Sequence, residues 1–324
     1  MVKAIRIEKT GGPEVMQLQD IELPPPGPGQ VQVRHTAIGV NFIDTYHRSG
    51  LYPVSLPSGI GMEAAGVVEA MGDGVAGFKI GDRVAYASGP IGAYAEVHNV
   101  AAATVAKVPD GVSDEAAAAL MLKGLTAQFL LRQTFRVESG QTILIHAAAG
   151  GVGLIACQWA KALGATVIGT TSSPEKAALA KAHGCDHVID YTKEDVAKRV
   201  IEITGGKKVP VVYDGVGKAT FVSSLDCLSP RGLLVSYGNA SGPVTGVDLG
   251  ILAQKGSLYV TRPTLFHYAA TPESFAAMAR DLFDTIASGA VKIEIHQRYK
   301  LADAAKAHHD LAARKTVGAS ILLP

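Results

Sequence analysis

The stretch from Gln141 to Lys176 constrains the fold more than any other part of the chain. It holds a β-rich run, Thr142-Ile-Leu-Ile-His146, a small-residue turn, Ala148-Ala-Gly150-Gly151-Val152-Gly153, an apolar segment of helical length, and a second β-rich run, Ala165-Thr-Val-Ile-Gly169. Strand, glycine turn, helix, strand is the order a dinucleotide-binding unit requires. Gly150 lets the backbone approach a pyrophosphate and Gly153 lets the helix pack close to the sheet, while the helix N-terminus offers unpaired N–H groups to the phosphate charge. The spacing departs from G-x-G-x-x-G at its first position, which is Ala148, so the flanking strand and helix patterns carry the assignment. The competing reading is an ordinary strand–helix–strand crossover closed by a Gly/Ala turn.

Which dinucleotide is also legible. An NAD-selective site places a carboxylate about 20 residues beyond the glycines to accept from the ribose hydroxyls. Here the second run ends in Thr170-Thr-Ser172-Ser173-Pro-Glu-Lys176, with no acid at its tip. Hydroxyls at Ser172 and Ser173 with the Lys176 ammonium suit an additional dianionic phosphate, because charged donors make the stronger hydrogen bonds to it. NADPH is therefore the expected cofactor. Ser173 also reads as a helix N-cap with Pro174 at the first helical position, and capping occupies only one of the hydroxyls.

With 324 residues, 48% of them hydrophobic, the chain exceeds the length at which single cores stop growing, and two domains are expected. Thirty basic against 29 acidic side chains leave a net charge of +1, so no global field recruits nucleic acid or anionic membrane, and small-molecule partners are expected. No run of about 18 apolar residues is present and the first residues lack a signal-peptide core, which reads as a cytoplasmic protein. Cys157, Cys185 and Cys227 match no zinc or CxxC spacing and read as buried apolar residues.

Up to about residue 120 the chain is a series of short β-like runs broken by Gly and Pro: Lys3 to Glu8, Gln30 to His35, Gly66 onward, Gly81 to Tyr86 and Gly92 to His98. They predict a partly open β-barrel. From Ser113 the pattern turns helical, and strands then alternate with helices at 142–146, 165–170, 188–190, 209–214, 232–237 and 257–261, predicting a doubly wound sheet of six parallel strands. A long helix over Glu273 to Ser288 and a last strand, Gly318 to Leu323, are assigned back to the first domain. The cofactor domain, 123–265, is thus inserted into a discontinuous catalytic domain, 1–122 with 266–324, with the active site expected in the cleft.

Over nearly its whole length the chain resembles the medium-chain dehydrogenase/reductase superfamily, and within it the zinc-free quinone oxidoreductases related to zeta-crystallin. The matching segments run in order: Gly39-Val-Asn41-Phe-Ile-Asp44-Thr-Tyr46, Gly59-Ile-Gly-Met62-Glu63-Ala-Ala-Gly66, Gly81-Asp-Arg-Val84, Leu122-Lys123-Gly124-Leu-Thr126, the glycine turn, and Val260-Thr-Arg262-Pro263. The resemblance implies a Rossmann domain inserted into a GroES-like β-barrel domain. At the positions where zinc-dependent relatives carry two Cys and a His for the catalytic metal stand Asn41, Met62 and Leu122, none a donor suited to zinc, and the cysteine lobe of the structural zinc is missing. Without a Lewis acid to hold an alkoxide, reduction is the expected direction: hydride passes from nicotinamide C4 to a quinone, with a proton from solvent or a tyrosine.

The resemblance further implies that Asn41, Tyr46 and Thr126 lie near the nicotinamide, that Gly150, Gly151, Val152 and Gly153 cradle the pyrophosphate, and that Ser172, Lys176 and Tyr191 surround the adenosine phosphate. Gly238, Asn239 and Phe266 are implied cofactor contacts after the fifth and sixth strands, and Arg314 a phosphate contact. Tyr191 capping the third strand, and Lys176 and Arg314 as solvated charges, are the competing readings. Asn41, Tyr46 and Tyr52 are the candidate catalytic donors; Asp44 and Glu63 read as loop-holding carboxylates, and no chemistry is assigned to the histidines. An enone or alkenal reductase shares the fold and hydride geometry. A zeta-crystallin-like RNA-binding or structural role is the alternative of a different class. A homodimer through the edge strand Leu258 to Thr261 is expected.

Overall fold

Six strands form one all-parallel sheet in the order His187–Asp190, Thr166–Thr171, Thr142–Ile145, Val209–Asp214, Leu228–Ser236, Tyr259–Thr261. The central strands are continuous runs of Val, Ile and Leu because helices cover both their faces, whereas the Tyr259–Thr261 edge is largely exposed. Leu144, Ile168, Ile189, Val200, Val212, Leu225 and Leu234 lie in one core cluster of this sheet and its helices. The strand order reverses direction between Thr142–Ile145 and Val209–Asp214, and ligands of such sheets bind beyond the carboxyl ends of the strands at that point. This computed structural model describes residues 1–324.

The other sheet has seven strands and is built around Gln30–Val40, which pairs antiparallel with Glu63–Met71 along one side. Along its other side it pairs with Val97–Ala101 and then with Ala319–Leu323. The C-terminal strand thus does return to the first part of the chain. Arg83–Ala87, Val105–Lys107 and Ile295–Lys300 complete this sheet, and Gln17–Ile21, Val2–Ile7 and Ser58–Gly59 form a smaller one. The run expected as a strand at 92–98 starts only at Val97; before it, the backbone of Tyr94 and Glu96 bonds to Ile5, Lys3 and Ile60 across an irregular crossing.

The chain divides into two units, Met1–Leu125 with Ala269–Phe283 and Ile293–Pro324, and Thr126–Tyr268 with Asp284–Lys292. Three differences from the sequence boundaries have local causes. Lys123 belongs to the first unit because its ammonium pairs with Glu63. Residues 266–268 stay with the parallel sheet, where Tyr268 stacks on Phe129 at 4.6 Å and accepts from Thr134. Residues 284–292 join it too, because the Gln158 amide bonds both the N–H and the carbonyl of Lys292.

Candidate cofactor and active site

Gly150 caps the helix Gly151–Ala162 with extended backbone, and the first intrahelical bond runs from Leu154 N–H to the Gly150 carbonyl. The amides of Gly151, Val152 and Gly153 therefore lie in the first turn, where no carbonyl stands behind them. A Cβ on Gly153 would lie 2.4 Å from the Ala147 carbonyl oxygen and 2.7 Å from that of Ala148, so only glycine lets the helix sit this close to the turn. Ala148, where the fingerprint has glycine, is fully buried, and its methyl faces Gly169 in the neighbouring strand: a Cβ on Gly169 would come within 2.6 Å of it. The absent first glycine is compensated by a glycine one strand away.

Ser172 follows the second strand directly, and Ser173 Oγ accepts from Lys176 N–H at 3.3 Å as the N-cap of Pro174–Ala182. The Tyr191 N–H donates to the Thr171 carbonyl, which brings Tyr191, 41% exposed, to the same strand ends as Ser172. The nearby Asp190 carboxylate is engaged by its own turn, accepting from Thr192 N–H and Oγ1 at 3.1 and 2.6 Å, and these bonds hold it below its ordinary range.

At the reversal point a buried network ties three strand ends and the helix Phe221–Cys227 together. His146 bonds Thr170 Oγ1 and Ser224 Oγ, each at 3.0 Å, and Ser224 donates to Asp214, which also accepts from Thr220 and from the N–H groups of Val216 and Gly217. Burial lowers the His146 pKa and keeps the ring neutral. The turn after the fifth strand is equally fixed: Arg262 donates to the Ser236 and Gly238 carbonyls, and Gly238 packs its backbone on Gly215. Asn239 follows in that turn, and Phe266, 42% exposed, stands on the short helix Leu265–Tyr268. Thr126 is half-buried on the helix Asp114–Phe129. Arg314 is exposed and lies in the first unit, on a left-handed turn (φ 58°) before the last strand.

In the first unit, Asn41 precedes the helix Phe42–Ser49, and its backbone N–H donates to Asp44 Oδ2 at 2.8 Å. Its side-chain Nδ2 donates to Glu63 Oε2 at 2.7 Å, which the Lys123 ammonium also reaches at 3.1 Å, while Glu63 Oε1 accepts from Leu122 N–H at 2.6 Å. Tyr94 Oη donates to Asp44 and meets His308 Nε2 at 3.0 Å; Arg48 donates to His308 Nδ1. Asp44 Oδ1 is buried without a partner, and burial raises the Asp44 pKa to about 7; burial lowers that of His308 to about 3. Tyr46 and Tyr52 meet edge to face at 5.2 Å, with Phe42 and His47 beside them.

This group does not fit a zinc ion. Asn41 presents its N–H to a carboxylate, Met62 is a buried thioether, Leu122 is apolar, and of the two carboxylates Glu63 already carries an ammonium while Asp44 accepts from the Asn41 backbone N–H and the Tyr94 hydroxyl. No three His, Cys, Asp or Glu side chains anywhere converge to hold a metal.

Sequence reading took Glu63 as a loop-holding carboxylate but missed its partners. Lys123, Tyr94 and His308 come from three separated segments, and only the Leu122-Lys123 match hinted at one of them. The cysteines are all buried, as expected, but two are not isolated in space: Cys157 and Cys185 lie 3.4 Å apart, sulfur to sulfur.

Two family profiles match, "Alcohol dehydrogenase GroES-like domain" over residues 27–110 and "Zinc-binding dehydrogenase" over residues 151–283. A quinone oxidoreductase of Pseudomonas aeruginosa is 63% identical, with all of both chains aligned. The crystal structure of Escherichia coli quinone oxidoreductase complexed with NADPH superposes with a TM-score of 0.98 at 54% identity, covering 99% of this chain and 100% of that one. A 2-haloacrylate reductase from a Burkholderia species is 47% identical over all of this chain and 99% of its own. With this agreement from end to end, the chain belongs to the quinone oxidoreductase family of the medium-chain dehydrogenase/reductase superfamily.

Proposed function

We propose that this protein is an NADPH-dependent, metal-independent quinone reductase. The observation that supports the cofactor assignment is the end of the strand Thr166–Thr171, which carries no carboxylate and is followed by Ser172, with Lys176 in the first turn of the next helix and the Tyr191 N–H bonded to the Thr171 carbonyl. Gly150, Gly151, Val152 and Gly153 bind the pyrophosphate through the helix N-terminus; Ser172, Lys176 and Tyr191 bind the additional phosphate. Gly238 and Asn239, held by Arg262, with Thr126 and Phe266, line the nicotinamide half, and Arg314 binds phosphate. NADPH, when bound, supplies the hydride. Asn41 faces the nicotinamide, and the Tyr46 and Tyr52 hydroxyls orient the quinone carbonyl and donate to the oxygen on which charge develops. A quinone delocalises that charge, so neutral donors suffice where the Glu63–Lys123 pair leaves no room for a Lewis acid.

The test is oxidation of NADPH and NADH by chelator-treated protein with 1,4-benzoquinone, a larger ortho-quinone, 3-nonen-2-one and 2-chloroacrylate. Quinone turnover that prefers NADPH, with the preference lost in Lys176→Ala, is the expected result; equal use of NADH sinks the cofactor assignment. The 47% identity to a 2-haloacrylate reductase favours a second reading, activated-alkene reduction at the same site, and faster turnover of the enone or haloacrylate than of either quinone selects it. The exposed Tyr259 and Val260 of the sheet edge would be covered in a homodimer that continues the sheet, which light scattering checks. No helix is long and apolar enough to cross a membrane.

A further inference from the structure

Two buried charges of the first unit, Glu63 and Lys123, are not among the proposed contacts to cofactor or substrate. Glu63 has no solvent exposure, Lys123 is 5% exposed and Asn41 6%. Burying such charges costs several kcal/mol unless every polar atom is matched, and here the matching is complete around Glu63: one oxygen takes the Leu122 N–H, the other the Lys123 ammonium and the Asn41 amide. The carboxylate packs directly on the Gly39 backbone, where a Cβ would lie 2.1 Å from its Oε2.

We propose that Lys123 and Glu63 are positioning residues for the reaction, the ammonium fixing the carboxylate and the carboxylate fixing the Asn41 side chain with its N–H group inward. An unconstrained amide can turn over and exchange its donor for its acceptor; one bound to a carboxylate cannot, because an oxygen there would face an oxygen. The inference rests on the reading that Asn41 faces the nicotinamide, and it explains why a costly buried ion pair stands where an apolar pair would stabilise the fold as well.

The titratable groups around Glu63 are Lys123 on its helix, Asp44 on the helix after Asn41 and Tyr94 on the irregular crossing; Tyr94 connects in turn to His308 and Arg48. Lys123 is the cation that favours ionisation of Asp44 as well as holding Glu63. Its removal leaves Asp44 without that cation, and the Asp44 carboxyl then keeps its proton to higher pH.

Lys123→Met, Lys123→Arg and the double variant Lys123→Met/Glu63→Met are compared with the unmodified protein for NADPH affinity, kcat and KM for 1,4-benzoquinone from pH 5.5 to 9, and thermal unfolding. Lys123→Met is expected to lower kcat about tenfold or more, keep the NADPH Kd within about threefold, and move the acid limb of kcat/KM up by about one pH unit. Lys123→Arg is expected to restore the limb. A purely structural pair would lower the unfolding temperature and leave the limb where it is, and that result overturns the inference; so does parallel loss of NADPH binding and kcat. Where Lys123→Met does not fold, the double variant, which buries no charge, is expected to bind NADPH and turn over at least about tenfold more slowly, and full activity in it is equally fatal. Inactivity of the unmodified protein with quinones refutes the proposed function itself, whereas an active protein with an unmoved limb refutes only the positioning role.

Discussion

The contact between Ala148 and Gly169 can be tested by exchanging the two residues. Gly169→Ala places a methyl 2.6 Å from the Ala148 Cβ, which has no rotamer to escape into, and 2.6 Å from the Cys185 sulfur, which has. Overpacking of this kind costs about 1–3 kcal/mol. Ala148→Gly removes a fully buried methyl, worth about 0.8 kcal/mol, and adds about 0.5–1 kcal/mol of glycine chain entropy. If the two sites were independent, the double variant would lose about 3 kcal/mol; because the new methyl fills the space the old one leaves, it should lose only about 1 kcal/mol, a coupling of about 2 kcal/mol. The assay is built in. Trp159, the only tryptophan and 3% exposed, lies on the helix that starts at the glycine turn, so its fluorescence in urea reports this unit's unfolding. Additivity within about 0.5 kcal/mol would refute the idea that Gly169 replaces the missing glycine.

Other expectations follow from the same geometry. Gly153→Ala drives a Cβ into two backbone carbonyls, and should weaken NADPH binding by about tenfold or more through displacement of the helix N-terminus; unchanged affinity by fluorescence titration would count against the turn as the phosphate site. Burial holds His35 near pKa 3, His98 near 4 and His308 near 3, so the stability they contribute is complete above pH 6.5 and declines as pH falls toward those values, by about 1.4 kcal/mol per unit for each. Asp44, raised to about 7, acts in the opposite sense: its contribution is present at low pH, declines as pH rises above 3.8 and is lost by about 7, offsetting one histidine. The urea midpoint should therefore fall steeply between pH 6.5 and 5, and a flat midpoint would show the histidines to be accessible to protons. Burial pushes the Cys227 thiol up to about 12, and the Cys185 contact and burial raise Cys157 as well, so intact protein at pH 8 should resist iodoacetamide at both, as read by mass spectrometry.

What could be read in advance and what could not separate along a physical line. The glycine turn, the six parallel strands and the Ser173 cap are local: strand runs announce themselves by continuous apolar composition, and a cap is one side chain reaching an amide three residues on. Arg262 was visible only as a matched residue, since its role, clamping the Ser236 and Gly238 carbonyls, depends on which strand lies next to which. The Asn41–Glu63–Lys123 group is less local still. Its members are 22 and 60 residues apart, and nothing in the composition near Glu63 distinguishes a buried ion pair from a surface acid. Charge clusters of this kind are fixed by tertiary packing alone, and they are tolerated only where every polar atom is matched. That is why sequence reading located the glycine turn, built from backbone and glycine, but passed over the ion pair, built from side chains that meet only when a helix N-terminus, the middle of a second helix and the start of a strand come together.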